Sequence, residues 1–429
     1  MSRLHSLRGF ALTLGVLGVA NSCSVPFSDV IAPNAARGEM FNSYVAIGNN
    51  ITAGFMSGGI IDSTQRRSYA FLLAQSMGTR FAYPSLAGRG CAPLITNFQT
   101  QARPAGTTGA TCDLRSAATA TDVLNNVGVP GAWSYDPNAT TSATSNALTT
   151  FFLGGKSQVQ RAREAKPSFV TIWIGYNDVL GPAVSSGGCT TVATGCAVTL
   201  SSITAQLAFA ASYDAMIDSL RKDNPALKGL LVGVVNVTNA PILFRADTLR
   251  TATFKTTFDA VACGGVPNSC AATGNVTLLD ASCSAGTTVL INTFMAHQIR
   301  AGTHPSNISC VPGGAGGTLP APVGDAFVLT AAEQAIVTAA VTTGYNTYIS
   351  AKANTLGWAY YDPNTTLAAL RTTGTVVRQV PNYASTTNPF GTGMSLDGVH
   401  PFGAGHLLIA NDMITVINAK FGSKLPAVF

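Results

Sequence analysis

Charge is scarce in this chain. Only 10% of the 429 residues are Asp, Glu, Lys or Arg. The formal net charge of +6 includes no run of Lys or Arg, so a nucleic-acid surface has no electrostatic footing and no nucleic-acid partner is expected. No stretch approaches the about 20 consecutive apolar residues that a bilayer-spanning helix needs. No Cys-x-x-Cys and no paired His stand near the cysteines, which argues against a structural zinc site. What the chain does have is 46% hydrophobic residues among many Gly, Ser, Thr and Asn. That is ample for a buried core, and the look is frequent in exported bacterial proteins.

Residues 1–23 have the pattern of an export signal. Arg3 and Arg8 form a positive start, Gly9 to Ala20 a short apolar run, and Ala20-Asn21-Ser22 a small-residue cleavage site. Two processing routes fit. Ordinary signal peptidase suits Ala20 and Ser22. Cys23 directly after Ser22 resembles a lipobox, although Ala20 stands where Leu is usual. The nine cysteines favour the second route: setting aside Cys23 as a lipid carrier leaves eight, an even number. The expected location is therefore the bacterial cell envelope, lipid-anchored at Cys23 or secreted. Removing Arg3 and Arg8 takes Lys plus Arg from 25 to 23 against 19 acids, a net of +4. Eight cysteines allow 105 connectivities. Their spacing suggests neighbour pairs: Cys91–Cys112, Cys189–Cys196, Cys263–Cys270 and Cys283–Cys310.

Residues 24–40 look irregular. Beyond them, short apolar runs alternate with helical periods. Tyr44–Ile47, Ser168–Ile174, Leu230–Val237 and Trp358–Tyr361 suggest buried strands, and Arg80–Tyr83 a weaker one. Helices are expected over Ser68–Met77, along the face Ile203, Leu207, Ala210, Tyr213, Ile217 and Leu220, from the capping box Thr330–Glu333 to about Ala353, and from Gly403 to about Phe421. Such alternation predicts an α/β fold around a doubly wound parallel sheet. Residues 95–125, 181–200 and 240–327 fit the alternation poorly and hold most of the cysteines. They are expected as disulfide-pinned loop insertions within a single domain over 41–429.

Three motifs follow strands or close the chain. They are Gly48-Asn49-Asn50-Ile51-Thr52-Ala53-Gly54, Gly175-Tyr176-Asn177-Asp178 and Asp397-Gly398-Val399-His400. Taken alone, each could be a turn. In this order they resemble the SGNH (GDSL-type) esterases and lipases, whose first block reads Gly-Asp-Ser-x-Thr-Ala-Gly. The resemblance implies a three-layer α/β/α sandwich with five parallel strands in flavodoxin-like order. It also implies ester hydrolysis through Ser-His-Asp acyl transfer without cofactor or metal. The substrate class is open: a small-molecule, glycan or lipid ester.

Carried over residue by residue, the resemblance makes His400 the general base and Asp397 its carboxylate partner. Asn177 becomes the side-chain donor of the oxyanion hole. Gly90 is expected as the backbone donor, with Gly88 in reserve. Tyr176 is a candidate for the pocket wall, along with Trp173, while Asp178 reads better as structural. The family nucleophile, a serine, is here Asn50. A neutral imidazole does not deprotonate an amide, so the acyl-enzyme route is closed as the sequence stands. Ser43 and Ser57 lie outside the turn and are not expected to reach the site. The other possibility is a non-catalytic envelope protein that keeps the pocket for binding. His297 and His304 read as surface residues, and His406 as a packing or capping one.

Overall fold

Four short apolar runs meet in one parallel sheet. They are β1 (Tyr44–Gly48), β2 (Phe169–Trp173), β3 (Lys228–Val232) and β4 (Ala359–Tyr361), side by side in that order. The computed structural model describes residues 38–113, 115–116, 121–139, 148–185, 202–264, 278–279, 281–284, 289–301, 307–308, 310, 328–377 and 380–429. The expected export segment with Cys23, and Cys189, Cys196, Cys270 and His304, lie outside these residues.

Tyr44 pairs with Phe169 and Gly48 with Trp173; Phe169 pairs with Lys228 and Leu230 with Ala359. Every residue of β1 and β2 is buried, which requires helices on both faces of the sheet. Alternation along β2 sends Phe169 and Trp173 to one face. There Phe169 meets Phe421 with ring centroids 5.9 Å apart, and Trp173 meets Tyr69 at 5.2 Å. The helices Tyr69–Met77 and Gly403–Phe421 thus form that layer. The helices Gln158–Glu164, Gln206–Asp223 and Thr347–Leu356 form the other, where Phe209 and Tyr345 stack at 3.9 Å. The architecture is the three-layer α/β/α sandwich.

Local sequence sets the helix starts. Ser68 and Thr330 accept the N–H of Phe71 and Glu333, and Glu333 accepts the Thr330 N–H at 2.7 Å; such caps contribute about 1 kcal/mol each. The helix opened by Thr330 changes gauge. Ala331–Ala339 is α, Ala340–Asn346 is π and Thr347–Leu356 is α again. At the end of the wider turn, the Asn346 amide accepts the Val234 N–H at 2.6 Å and donates to its carbonyl at 2.9 Å. It stands in for a sheet neighbour where β3, expected to reach Val237, has already ended.

The expected strand Arg80–Tyr83 does not form, so among the described residues the sheet has four strands rather than five. Residues 125–129 take the place beside β1. The Ala46 N–H donates to the Asn125 carbonyl at 2.8 Å, and the Val127 and Val129 N–H groups donate to Ala46 and Gly48 at 3.0 and 3.1 Å. Phe81 and Ala82 are buried one step further out, where the Asn125 side chain accepts the Ala82 N–H at 3.0 Å.

Regular structure also occurs in the 240–327 stretch. Leu243–Arg245, Leu290–Asn292 and Val328–Leu329 pair antiparallel, beside the helices Ala252–Cys263 and Met295–Arg300. They enclose a second apolar cluster with Phe98, Phe244, Phe258, Tyr383 and Phe390. Cys91–Cys112 and Cys283–Cys310 are disulfides, as their spacing suggested. Cys263 is also disulfide-bonded, to a partner outside the described residues. Among the described residues no helix is long and apolar enough to cross a membrane.

Gly48 ends β1 at the tightest point of the sheet edge. A Cβ there would stand 2.1 Å from Thr52 Oγ1 and 2.5 Å from the Trp173 carbonyl oxygen. Gly48→Ala should therefore cost about 1–3 kcal/mol, seen as a lower urea midpoint with an unchanged slope. A variant as stable as the parent would mean that the turn after β1 yields easily.

Candidate active site

In an open parallel sheet, ligands bind beyond the carboxyl ends of the strands. Because Gly48 pairs with Trp173, the turns after β1 and β2 emerge together there. Asn49 caps the one-turn helix Asn50–Ala53, its Oδ1 accepting the Ile51 N–H at 3.4 Å. This presents the Asn50 side chain at the sheet edge. Its Oδ1 accepts two hydrogen bonds, from the Gly131 N–H at 2.7 Å and from Asn177 Nδ2 at 3.0 Å. Asn177 also donates to the Ala132 carbonyl at 2.9 Å, so it locks the loop that supplies Gly131.

Asp178 fastens the same loop. It accepts the Ser134 N–H at 2.9 Å and the Ser134 hydroxyl at 2.6 Å. Burial pushes its carboxyl up, against the hydrogen bonds of Ser134 and Thr204 that pull it down.

The second half of the site comes from the turn before the last helix. Asp397 Oδ2 accepts His400 Nδ1 at 2.9 Å. The carboxylate also accepts the His400, Val399 and Gly58 N–H groups at 2.9, 3.0 and 2.9 Å, and the Ser395 hydroxyl at 2.8 Å. Burial alone would raise the Asp397 carboxyl. The His400 imidazole and the N–H donors of His400 and Gly58 outweigh it and hold the group well below the usual carboxylate range. His400 is 5% exposed, and its Nε2 is buried without a hydrogen-bond partner among the described residues. The two halves share Phe55. Its N–H donates to the Asn50 carbonyl at 2.9 Å, and its ring lies edge-on to His400 at 5.1 Å. Behind them is an apolar cavity lined by Ile51, Trp173, Tyr176, Val399, Pro401 and Ile409.

The structure thus pairs Asn50 with Asn177 and Asp397 with His400, links the two pairs through Phe55, and buries Tyr176 in the wall of the adjoining cavity. Gly90 is not the glycine that meets Asn50. It packs on Ile60 and Ile61, where a Cβ would stand 2.2 Å from the Ile60 carbonyl oxygen, and its own carbonyl accepts the Asp113 N–H. Gly88 lies against Asp113. Gly131, at φ 78°, supplies the N–H instead. Its signal was the Pro130-Gly131 pair closing the apolar run from Leu124, a turn at the end of an extended segment.

Ser57 is closer than the sequence suggested, but as a prop. Its hydroxyl accepts the Leu396 N–H at 3.1 Å and its N–H donates to Ser395 at 2.9 Å. His406 caps the helix Tyr69–Met77 by accepting the Tyr69 N–H at 3.1 Å, and burial pulls it down to about 3. His297 is not a surface residue. It is half-buried, 2.6 Å from the Phe98 carbonyl oxygen, and burial pulls it down to about 4. Among the described residues no cluster of three His, Cys, Asp or Glu side chains could hold a metal ion.

Residues 44–413 match the sequence profile of the GDSL-like lipase/acylhydrolases. The chain belongs to this family. Two solved structures resemble it across nearly their whole length. One is an acetyl xylan esterase, 14% identical, covering 87% of this chain and 99% of its own at a TM-score of 0.31. The other, described as a GDSL-like lipase from Parabacteroides merdae, is 11% identical and covers 89% and 97%, also at 0.31. At such scores the assignment rests on the match over residues 44–413. No curated protein matches the chain significantly.

The buried carboxylate gives this GDSL-like protein an acid-sensitive component of stability. Folded, Asp397 holds its proton less tightly than an unfolded Asp at about 3.9, so between the two values the unfolded chain binds more protons. The stabilisation is full above about pH 4 and is lost as pH falls through the folded value. Asp397→Asn should be less stable than the parent at pH 7, with the gap narrowing steadily below about pH 4. Urea unfolding across a pH series reads this directly; a gap of constant size would contradict it.

Proposed function

We propose that this chain carries the carboxylic ester hydrolase site of its family with the acyl-transfer step blocked at Asn50. Asp397 orients the His400 imidazole, which is placed to act as general base and acid. Asn177 Nδ2 and the Gly131 N–H are the donors for a developing oxyanion. The observation that carries this reading is the position of Asn50 Oδ1, which accepts from both of those donors. The side-chain amide occupies the place of a substrate carbonyl and supplies no nucleophile. The inherited substrate is a carboxylic ester, of a small molecule, a glycan or a lipid.

Asn50→Ser should free both donors and supply the missing hydroxyl. Loss of a triad nucleophile costs about 10⁶ in turnover in a well-studied serine protease, so the gain on p-nitrophenyl acetate should be large. The revertant should also react with a fluorophosphonate, and both properties should vanish when His400→Ala is added. Asn177→Ala in the revertant should lower turnover by about 10²–10³. Fluorophosphonate labelling of the chain as written would mean that another residue is the nucleophile. A folded but inert revertant would favour the alternative, a non-catalytic envelope protein that binds a ligand in the pocket.

We also propose export with a lipid anchor at Cys23, on the strength of the short apolar run, Ser22-Cys23 and the odd cysteine count. Palmitate labelling with membrane fractionation should find the lipid on Cys23. A soluble, unlabelled mature chain would remove the anchor while leaving export in place.

A further inference from the structure

The Asn50 side chain is itself a carboxyl derivative, and it sits where this site would hold the carbonyl of a substrate. Its Oδ1 faces the Gly131 N–H at 2.7 Å and Asn177 Nδ2 at 3.0 Å. Two such donors draw charge onto the oxygen and make Cγ more electrophilic. Phe55 links this residue to the general base: its N–H donates to the Asn50 backbone carbonyl at 2.9 Å and its ring packs edge-on to His400 at 5.1 Å, where the imidazole is fixed at Nδ1 by Asp397 and Nε2 has no hydrogen-bond partner among the described residues. We propose that Asn50 is a self-modification site, whose side-chain amide the protein hydrolyses to a carboxylate with its own His400 and oxyanion donors. This rests on the ester-hydrolase reading of the site.

The co-reactant is water. His400 Nε2 takes a proton from it as the oxygen bonds to Asn50 Cγ. The carbonyl electron pair moves onto Oδ1, held by Gly131 and Asn177. The pair then returns, the Cγ–Nδ2 bond breaks, and the imidazolium gives its proton to the departing nitrogen. Ammonia leaves, and the new carboxylic acid releases its proton to solvent. The products are an aspartate at position 50 and an ammonium ion.

The usual route of asparagine deamidation is attack by the next backbone nitrogen on Cγ, through a cyclic imide. Here that nitrogen belongs to Ile51, inside the helical turn and directed to Asn49 Oδ1. Hydrolysis by water yields only aspartate, whereas the imide also opens to isoaspartate.

The purified full-length chain would be incubated in water labelled with heavy oxygen, and the peptide spanning position 50 mapped by mass spectrometry. The expected result is aspartate at position 50 carrying one heavy oxygen, with no isoaspartate. Asn346, whose amide is bonded on both sides to Val234, should remain an asparagine and serves as the internal control. His400→Ala should slow conversion by about 10²–10⁴-fold, and Asn177→Ala by about 10²–10³-fold. His400→Gln is a second test should the alanine variant fail to fold. An unchanged Asn50, conversion at parental rate in these variants, or an isoaspartate product would each overturn the proposal. Failure here is separable from failure of the hydrolase reading. If Asn50→Ser gains esterase activity while position 50 of the parent stays an amide, only the self-modification falls.

Discussion

A single buried carboxylate ties the site together. Asp397 is 7% exposed and carries a charge that burial penalises. Its cost is offset only because donors from two stretches of chain converge on it: Gly58 from the loop after β1, and Ser395, Val399 and His400 from its own turn. Ser57 then braces Ser395 and Leu396. Each of these groups is fixed by the need to satisfy the anion, so the His400 imidazole is oriented before any ligand arrives. Preorganised hydrogen bonding of this kind lets a site act without rearranging at the moment of reaction.

Asn50 completes a second converging network, and there the balance differs. The Gly131 N–H and the Asn177 amide are donors in search of an acceptor, and a buried donor left unmet costs about 1–3 kcal/mol. The Asn50 carbonyl satisfies both. A serine in its place would offer a hydroxyl to the imidazole and leave the donors to a substrate or to water. The asparagine therefore gives up the hydroxyl nucleophile while meeting both donors.

Much of this was legible in the sequence, and what was missed shares one cause. The strands Tyr44–Gly48 and Phe169–Trp173 are continuous apolar runs, and only a sheet covered on both faces accommodates them. The Thr330–Glu333 box and the Ser68 cap are local chemistry. Asp397 and His400 are three residues apart, so one turn explains their meeting. Gly131 was missed because its partner Asn50 is distant in the chain, while Gly90 looked equally suited to a turn. Phe81, Ala82 and Tyr83 have the composition of a strand. The edge of β1 went instead to residues 125–129, and the Asn125 side chain that arbitrates gives no periodic signal. His297 looked like a surface residue because nothing in its neighbours announced a second apolar cluster.

That second cluster reaches the site at the turn itself, where Leu396 belongs to it. Gly398, at φ 67°, lies against the Phe390 ring so closely that a Cβ would stand 2.7 Å from it. The Gly398 carbonyl in turn accepts the Ile242 N–H at 2.9 Å, at the entry to the 240–327 stretch. The turn bearing Asp397 and His400 is therefore held at Gly398 by the aromatic cluster and by the entry to the 240–327 stretch. Trimming this chain to the minimal sandwich would take away the floor beneath its base. Its length is part of its chemistry, and a substitution at Phe390 would be felt in the turn that carries the imidazole.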